Sequence, residues 1–468
     1  MTDRLPLDLG HEAFRAFAQR GVELAADYLA SLADRPTFPP GGGASVAELF
    51  DGPPPEVGRG AQVLEELALV ADASRPGSGR FFGYVFGSGE PVAAVADLYA
   101  SVLNQNVTAW RSSPAGVTIE RTVIRWLAEG VGCGGFTGSF TSGGSSANLM
   151  GLAMAREAVL PANEAGARPA IVYVSDEVHM AVPKAVALLG LGRSNVRRIP
   201  VDDSFRMRTD ALGAAIAEDR AAGRDAVAVV ASAGTITTGA VDPLAAIAGI
   251  AHASGLWLHV DGAYGALAAL AVPERFAGLD QADSMSLDAH KWLYQPVDCS
   301  LLLYRDRDVA RRTFAYSDDY VRALSGDSVE GFAFFEESVE LSRRFRVLKV
   351  WLSLRYHGME RFRAAIRQDL EHARQLARTV EADPRLELLA PVELSAVCFR
   401  WVDAREDGLD ARNADILRRV VQEGDVYLSN ATIRGRFALR ACIVNHRTTD
   451  ADVARIVPAV LRAAAATM

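Results

Sequence analysis

Short apolar runs separated by helical stretches constrain this chain more than any other feature. Residues 170–175, 226–233, 256–261 and 300–304 are rich in Val, Ile, Leu and Ala and lack the polar alternation of a strand with one wet face. Runs of this kind fit strands buried on both faces. Helical stretches at 147–159 and 243–252 lie between them, and the alternation predicts an α/β fold with a mainly parallel central sheet covered by helices. A chain of 468 residues is too long for one small core. After about residue 360 the pattern changes to a helix over 361–382, a strand over 395–401, a helix over 411–423, a strand over 437–442 and a terminal helix, which reads as a smaller α+β domain. At the other end, Phe14, Phe17, Leu24, Tyr28 and Leu32 line one face of a helix over 11–33. A Pro/Gly break at 36–43, a helix over 60–72 and a break at 75–79 follow. This N-terminal part is too short for its own core and is expected to pack on a second subunit. The expected division is therefore 1–80, 81–360 and 361–468.

Several classes of function are excluded. The net charge is −9 and no Lys/Arg run tracks a phosphate backbone, so nucleic acid is not an expected partner. The N-terminal residues lack an apolar signal core, and no apolar stretch is long enough to span a bilayer. Cys133, Cys299, Cys398 and Cys442 are too scattered for a metal site or a disulfide framework. Reduced thiols, a cytoplasmic location, no metal and no membrane are expected.

Lys291 lies among apolar and aromatic neighbours in Ser286-Leu287-Asp288-Ala289-His290-Lys291-Trp292. A single loop lysine is ordinarily solvated, but a desolvated one can form a Schiff base with an aldehyde. Asp261 ends the run 256–261, at the edge where parallel sheets bind ligands. A carboxylate there suits the ring nitrogen of pyridoxal 5′-phosphate. His259 shares its face by strand alternation, either orienting Asp261 or serving as an ordinary core histidine. Gly143, Gly144 and Ser145 open the helix at 147–159, where backbone N–H groups and the helix dipole favour a phosphate. The loop lacks the Gly-Lys-Ser/Thr of a nucleotide-binding P-loop. His179 follows the run 170–175, where an imidazole can stack on a ring or handle protons.

Taken together, His290-Lys291-Trp292, the HVDGAYG of 259–265 and the TSGGSSAN of 141–148 resemble the group II pyridoxal-phosphate decarboxylases, which act on aromatic L-amino acids, glutamate or cysteine sulfinate. The resemblance extends to 80–84, 112–115, 341–346 and Leu439-Arg440, nearly the whole chain. It implies the aspartate-aminotransferase-like fold (fold type I) and a homodimer with sites at the subunit interface. It implies decarboxylation of an L-amino acid through a Lys291 aldimine and a quinonoid. Asp261 would face the pyridinium, and Ala263 and His179 would pack on the two ring faces. Gly143, Gly144 and Ser145, with Asp288, would surround the phosphate; Thr235 would line the cofactor, and His290 would face the substrate. Phe81, Phe82, Tyr84 and Arg440 fall in segments that look substrate-binding, with a weak preference for an aromatic or apolar side chain.

Two positions depart from the family pattern. Many members carry a proton-donating tyrosine on a mobile loop, expected here within about 318–340. An alignment anchored on 343–346 puts Phe334 in its place. Ile236 stands where the family usually has a second threonine. Both changes point to an alternative, an oxidative deaminase that uses oxygen to make an aldehyde. The competing reading has Tyr320, or His179 with water, supply the proton. A non-catalytic dimeric relative is a further alternative, which the intact Lys291, Asp261 and His179 set argues against, and a transaminase is another, against which the His290-Lys291-Trp292 context and the Leu-Ser-Arg-Arg-Phe-Arg of 341–346 stand.

Overall fold

The computed structural model describes residues 7–316, 329–403 and 407–466. Its central sheet is built from β1 (Thr137–Thr141), β2 (Ile171–Ser175), β3 (Val196–Ile199), β4 (Ala226–Ser232), β5 (Trp257–Asp261), β6 (Ser284–Asp288) and β7 (Ser300–Tyr304), in the order β1-β7-β6-β5-β4-β2-β3. The pairs β6–β5, β5–β4, β4–β2 and β2–β3 are parallel, and β7 runs against both its neighbours. The four apolar runs became β2, β4, β5 and β7. Alternate residues of the same strands feed two cores: Val229, Leu258, Leu287 and Leu301 on one face, Val174, Val230 and Leu302 on the other. This is the α/β, fold type I architecture anticipated from the sequence.

Three strands of this sheet escaped the sequence reading, for a physical reason. β6 reads Ser-Met-Ser-Leu-Asp, which looks like a strand with one wet face, yet every residue is buried. Its polar side chains are consumed inside the protein. β1 likewise buries Ser139 and Thr141, and β3 places Arg197 and Arg198 at the edge of the sheet.

A second, antiparallel sheet contains β8 (Leu386–Leu388), β9 (Ala396–Trp401), β10 (Ser429–Ile433) and β11 (Arg436–Cys442), in the order β10-β11-β9-β8. The helix Met359–Glu381 joins the two bodies. Phe362, Ile366 and Leu370 sit in the large core, whereas Ala373, Leu376 and Val380 sit in the C-terminal one. The helix His11–Ser31 buries none of its residues, and a short helix, Gly43–Phe50, follows the Pro/Gly break. Among the described residues, no helix is long and apolar enough to cross a membrane.

Arg343 and Glu120 form an ion pair inside the large body, with both side chains 1% exposed. Arg343 also donates to the carbonyls of Val107 (2.6 Å) and Phe140 (2.9 Å), and Glu120 accepts the Phe140 N–H at 2.8 Å. The pair thus ties the helix Pro114–Gly130 to β1 and to the segment preceding the helix Val347–His357. Phe334 packs here. It is fully buried, its N–H bonds Thr108 O at 2.7 Å, and the Arg343 guanidinium lies 4.2 Å from its ring centre. This corrects the assignment of Phe334 to a site-facing loop position, because a side chain enclosed in its own core reaches no substrate. Tyr320 lies outside the described residues. Replacing Arg343 by Met strands the Glu120 charge; we expect a loss of about 3–5 kcal/mol in urea unfolding, most of it recovered when Glu120 is also replaced by Leu.

Candidate active site

The C-terminal ends of β2, β4, β5 and β6 converge on one edge of the sheet. They bring His179, Thr235, Ile236, Asp261, Ala263, Asp288, His290 and Lys291 to the wall of a cavity of about 300 Å³. The helix Gly144–Val159 points its N-terminus into the same space, so Gly143, Gly144 and Ser145 also line it. Asp288 ends β6, and Lys291 follows one turn later in the short helix Ala289–Trp292. Its amine lies 2.9 Å from Asp288 Oδ2. Burial works against the Asp288 carboxylate, but the Lys291 ammonium and then His290 outweigh it and hold it below the usual range. Asp288 therefore acts as counter-ion to the amine. It lines the same cavity as Gly143, Gly144 and Ser145.

Asp261 is only 7% exposed and is held by donors from three directions. Oδ2 accepts from Asn148 Nδ2 at 3.0 Å; Oδ1 accepts from Ser286 Oγ at 3.1 Å and from the Ala263 N–H at 3.2 Å. His259 does not touch the carboxylate. Its Nε2 lies 2.8 Å from Asn148 Oδ1, and its Nδ1 lies 2.8 Å from Ser284 Oγ, which also accepts from Trp257 Nε1 at 2.8 Å. Burial pushes His259 down to about 4, against the pull of Asp261, so the ring is neutral near pH 7. Only one direction of donation then satisfies every atom: Trp257 to Ser284, Ser284 to His259, His259 to Asn148, Asn148 to Asp261. Gly151 leaves room for this ring, since a Cβ there would strike His259 Nδ1 and Cε1.

His179 accepts the Ala181 N–H on Nδ1 at 3.3 Å, so its neutral form carries the proton on Nε2. Burial leads the causes that lower its pKa. His290 Nδ1 donates to Cys299 O at 3.0 Å, and burial again leads the causes lowering its pKa. Thr235 is held in its turn by Thr238 Oγ1 (3.0 Å) and by the Ala240 N–H (3.1 Å).

The four residues expected on the substrate side do not line this cavity. Phe82 is fully buried in the C-terminal core, and Phe81 is 6% exposed with its ring stacked on Tyr427 at 4.7 Å. Neither presents a surface to a substrate. Tyr84 is 54% exposed, with its hydroxyl 3.3 Å from that of Tyr427. Arg440 donates to the carbonyls of Thr237 (3.0 Å), Tyr84 (3.0 Å) and Ile236. Its guanidinium fastens the turn after β4, which corrects its expected place on the substrate side. Conversely, Asn148, Glu177, Ser232, Tyr264 and Val297 line the cavity without having been singled out. Asn148 had a signal: it lies one helical turn beyond Gly144, on the face that looks at the sheet.

The donor set fits pyridoxal 5′-phosphate. A buried carboxylate, a lysine amine and a glycine-opened helix N-terminus share one cavity, and a Cβ on Gly144 would press Ala263 Cβ (2.9 Å) and the Asp288 carboxylate (3.0 Å). Among the described residues, no cluster of His, Cys, Asp and Glu could hold a metal ion. Removing the Asn148 amide breaks the relay beside Asp261. Asn148→Ala should weaken cofactor binding to the apoprotein by about 10- to 100-fold, as for a hydrogen bond to a charged group. Gly151→Ala should act in the same direction by displacing His259; fluorescence titration with the cofactor measures both.

Residues 66–402 match the model of the pyridoxal-dependent decarboxylase conserved domain. The chain is 37% identical over 387 residues to an aromatic-L-amino-acid decarboxylase of Bacillus atrophaeus, covering 80% of this chain and 79% of the relative. It is 29% identical to a phenylacetaldehyde synthase of Arabidopsis thaliana, covering 94% and 92%. The crystal structure of Oryza sativa TDC with PLP and tryptamine superposes with a TM-score of 0.92 at 28% identity, covering 99% of this chain and all of that one. With its lysine, buried aspartate and glycine-opened helix gathered at one sheet edge, this chain belongs to the pyridoxal-phosphate-dependent decarboxylases, enzymes that take carbon dioxide from amino acids.

Proposed function

We propose that the enzyme decarboxylates an aromatic or bulky apolar L-amino acid to its amine, with the cofactor attached to Lys291. The observation that carries this reading is the shared cavity of Lys291, Asp261 and the Gly143–Gly144–Ser145 opening. When bound, pyridoxal 5′-phosphate supplies an aldehyde for the lysine amine and a ring that takes up the electron pair left by departing carbon dioxide. Asp261 faces the ring nitrogen, backed by Asn148 and Ser286. Gly143, Gly144 and Ser145 hold the phosphate at the helix N-terminus. His179 and Ala263 would flank the ring, Thr235 would line it, and His290 would face the substrate. The net reaction takes up one proton at the substrate α-carbon as carbon dioxide leaves. His179, with its proton on Nε2, is the donor that the described residues offer; Tyr320 is the other candidate.

The substrate class rests on Ile236 and Val297, apolar side chains 36% and 54% exposed that line the cavity, and on the activities named for the relatives. Oxidative deamination to an aldehyde keeps as supports Ile236 in the cavity wall and the lack of any tyrosine between Tyr320 and Tyr356, although Phe334 itself is buried away from the cavity. Quantifying amine, aldehyde and peroxide in one turnover assay decides between them: we expect amine equal to the carbon dioxide released, and stoichiometric aldehyde with peroxide would reverse the reading. Lys291→Ala should abolish both turnover and the visible absorbance of the bound cofactor.

The working unit in this reading is a homodimer, with residues 1–80 lying over the partner, 81–360 forming the cofactor-binding body and 361–468 the smaller domain. The helix Pro91–Leu103 exposes Val95, Leu98, Tyr99 and Val102 along one stripe, and the helix His11–Ser31 has no buried residue. Such apolar surface calls for a partner. The four cysteines are buried and unpaired, which accords with a reducing cytoplasm. Leu98→Asp with Tyr99→Asp should convert the dimer to monomer in sedimentation equilibrium; an unchanged mass would remove this stripe from the interface.

A further inference from the structure

The turn after Lys291 is gripped residue by residue from the helices Val347–His357 and Met359–Glu381 and from the ion pairs they form. Gln295 Nε2 reaches Ser353 Oγ at 3.3 Å, Lys349 Nζ donates to Pro296 O at 2.9 Å, and Arg346 pairs with Asp298 at 3.3 Å. Tyr294 has a different partner. It is 2% exposed and sits at φ 54°, a conformation a bulky residue adopts only when its surroundings enforce it. Its N–H bonds Lys291 O at 3.0 Å, its carbonyl accepts the Glu90 N–H at 2.7 Å, and its hydroxyl donates to Asp369 Oδ2 at 2.9 Å. Asp369 is 2% exposed and lies midway along the helix that joins the two cores. The same oxygen accepts the Asn445 N–H at 3.1 Å, and Asn445 belongs to the C-terminal body just beyond β11.

We infer that Tyr294 and Asp369 form a positioning latch, in which one hydrogen bond fixes the turn carrying Lys291 against the junction of the two bodies and so sets how the cofactor lysine is held. This rests on the reading that Lys291 carries the cofactor. Tyr294 touches neither substrate nor cofactor in this scheme; it acts through the Lys291 carbonyl.

The latch responds to pH because Asp369 lacks a counter-ion. Among the described residues, no cation pairs with it. His446 meets Tyr294 edge-on at 5.5 Å and bonds Ser88 Oγ; Arg447 spends its guanidinium on the carbonyls of Ser88 and Gly89. His372, one turn along the same helix, lies 3.2 Å from Asp450, and His357 lies 3.6 Å from Glu90. Burial therefore dominates, opposed by the bonds from Tyr294 and Asn445, and pushes the Asp369 carboxyl up to about 8 from 3.8. Its folded pKa exceeds its unfolded one, so the folded state holds a proton that the unfolded state gives up between those two values. The stabilisation is complete below about pH 4 and declines as pH rises, until it is lost at about pH 8.

Two variants test the latch. Asp369→Asn keeps an amide oxygen for Tyr294 and Asn445 and cannot ionise; Tyr294→Phe removes the hydroxyl. Cofactor affinity is measured by titrating the apoprotein with pyridoxal 5′-phosphate, and the pH slope of stability by urea unfolding of the apoprotein between pH 5 and 9. We expect Tyr294→Phe to weaken cofactor binding by about tenfold. Asp369→Asn should bind within about threefold of wild type while flattening the pH slope of stability. Wild-type affinity in Tyr294→Phe overturns the latch. Should that variant not fold, Asp369→Leu, which removes the acceptor, decides: cofactor affinity weakened by about tenfold supports the latch, and wild-type affinity overturns it. The stability arm involves no cofactor, so a wild-type protein that takes up no pyridoxal 5′-phosphate counts against the decarboxylase reading and not against the Tyr294–Asp369 bond.

Discussion

A carboxylate buried at the end of a parallel strand must be given donors, because an ion removed from water without partners costs several kcal/mol. Asp261 imposes that requirement on everything around it. The Asn148 amide comes from the helix after β1, the Ser286 hydroxyl from β6 and the Ala263 N–H from the turn after β5. Asn148 then needs an acceptor satisfied in turn, which brings in His259, Ser284 and Trp257. The polar residues of β6 and the missing side chain at Gly151 are consequences of this one placement. A neutral His259 keeps a second charge out of the core while fixing the orientation of the amide.

The second constraint is mechanical. Lys291 sits on a short turn, and such a turn adjoining a cavity has few contacts of its own. The protein compensates by packing it from behind. A Cβ on Gly87 would collide with the carbonyls of His290 and Lys291, so the segment after β-bridged Phe81 lies directly on the turn. Lys349, fully buried, shares its charge between Asp97 and the Pro296 carbonyl. Because the helix Met359–Glu381 enters both cores, Asp369 on it ties this turn to the C-terminal body as well.

Much of the site was legible before any coordinates. The strand ends at Asp261 and the glycine-opened helix follow from periodicity and turn chemistry, and the order of the motifs carried the family. The misjudged residues share a cause. Phe82 and Phe81 look like substrate contacts only while the C-terminal core that absorbs them is unseen. Arg440 looks like a substrate contact until three backbone carbonyls claim its donors. Phe334 looks like a loop residue because sequence spacing says nothing about the Arg343 guanidinium waiting for its ring. Each is a long-range contact made by a residue type that serves equally well in a site or in a core.

The sequence by itself determined the α/β class, the family and most of the residues that gather around one cavity, because these rest on local periodicity and on short motifs whose neighbours lie along the chain. Only the tertiary structure decided that β6 is a buried strand, that Asn148 stands between His259 and Asp261, and that Tyr294 reaches Asp369 across the junction of two bodies. These hydrogen bonds join residues 75 to 113 positions apart. Hydrogen-bond partners at that separation are chosen by how helices and strands pack, and no pattern along the chain records the choice.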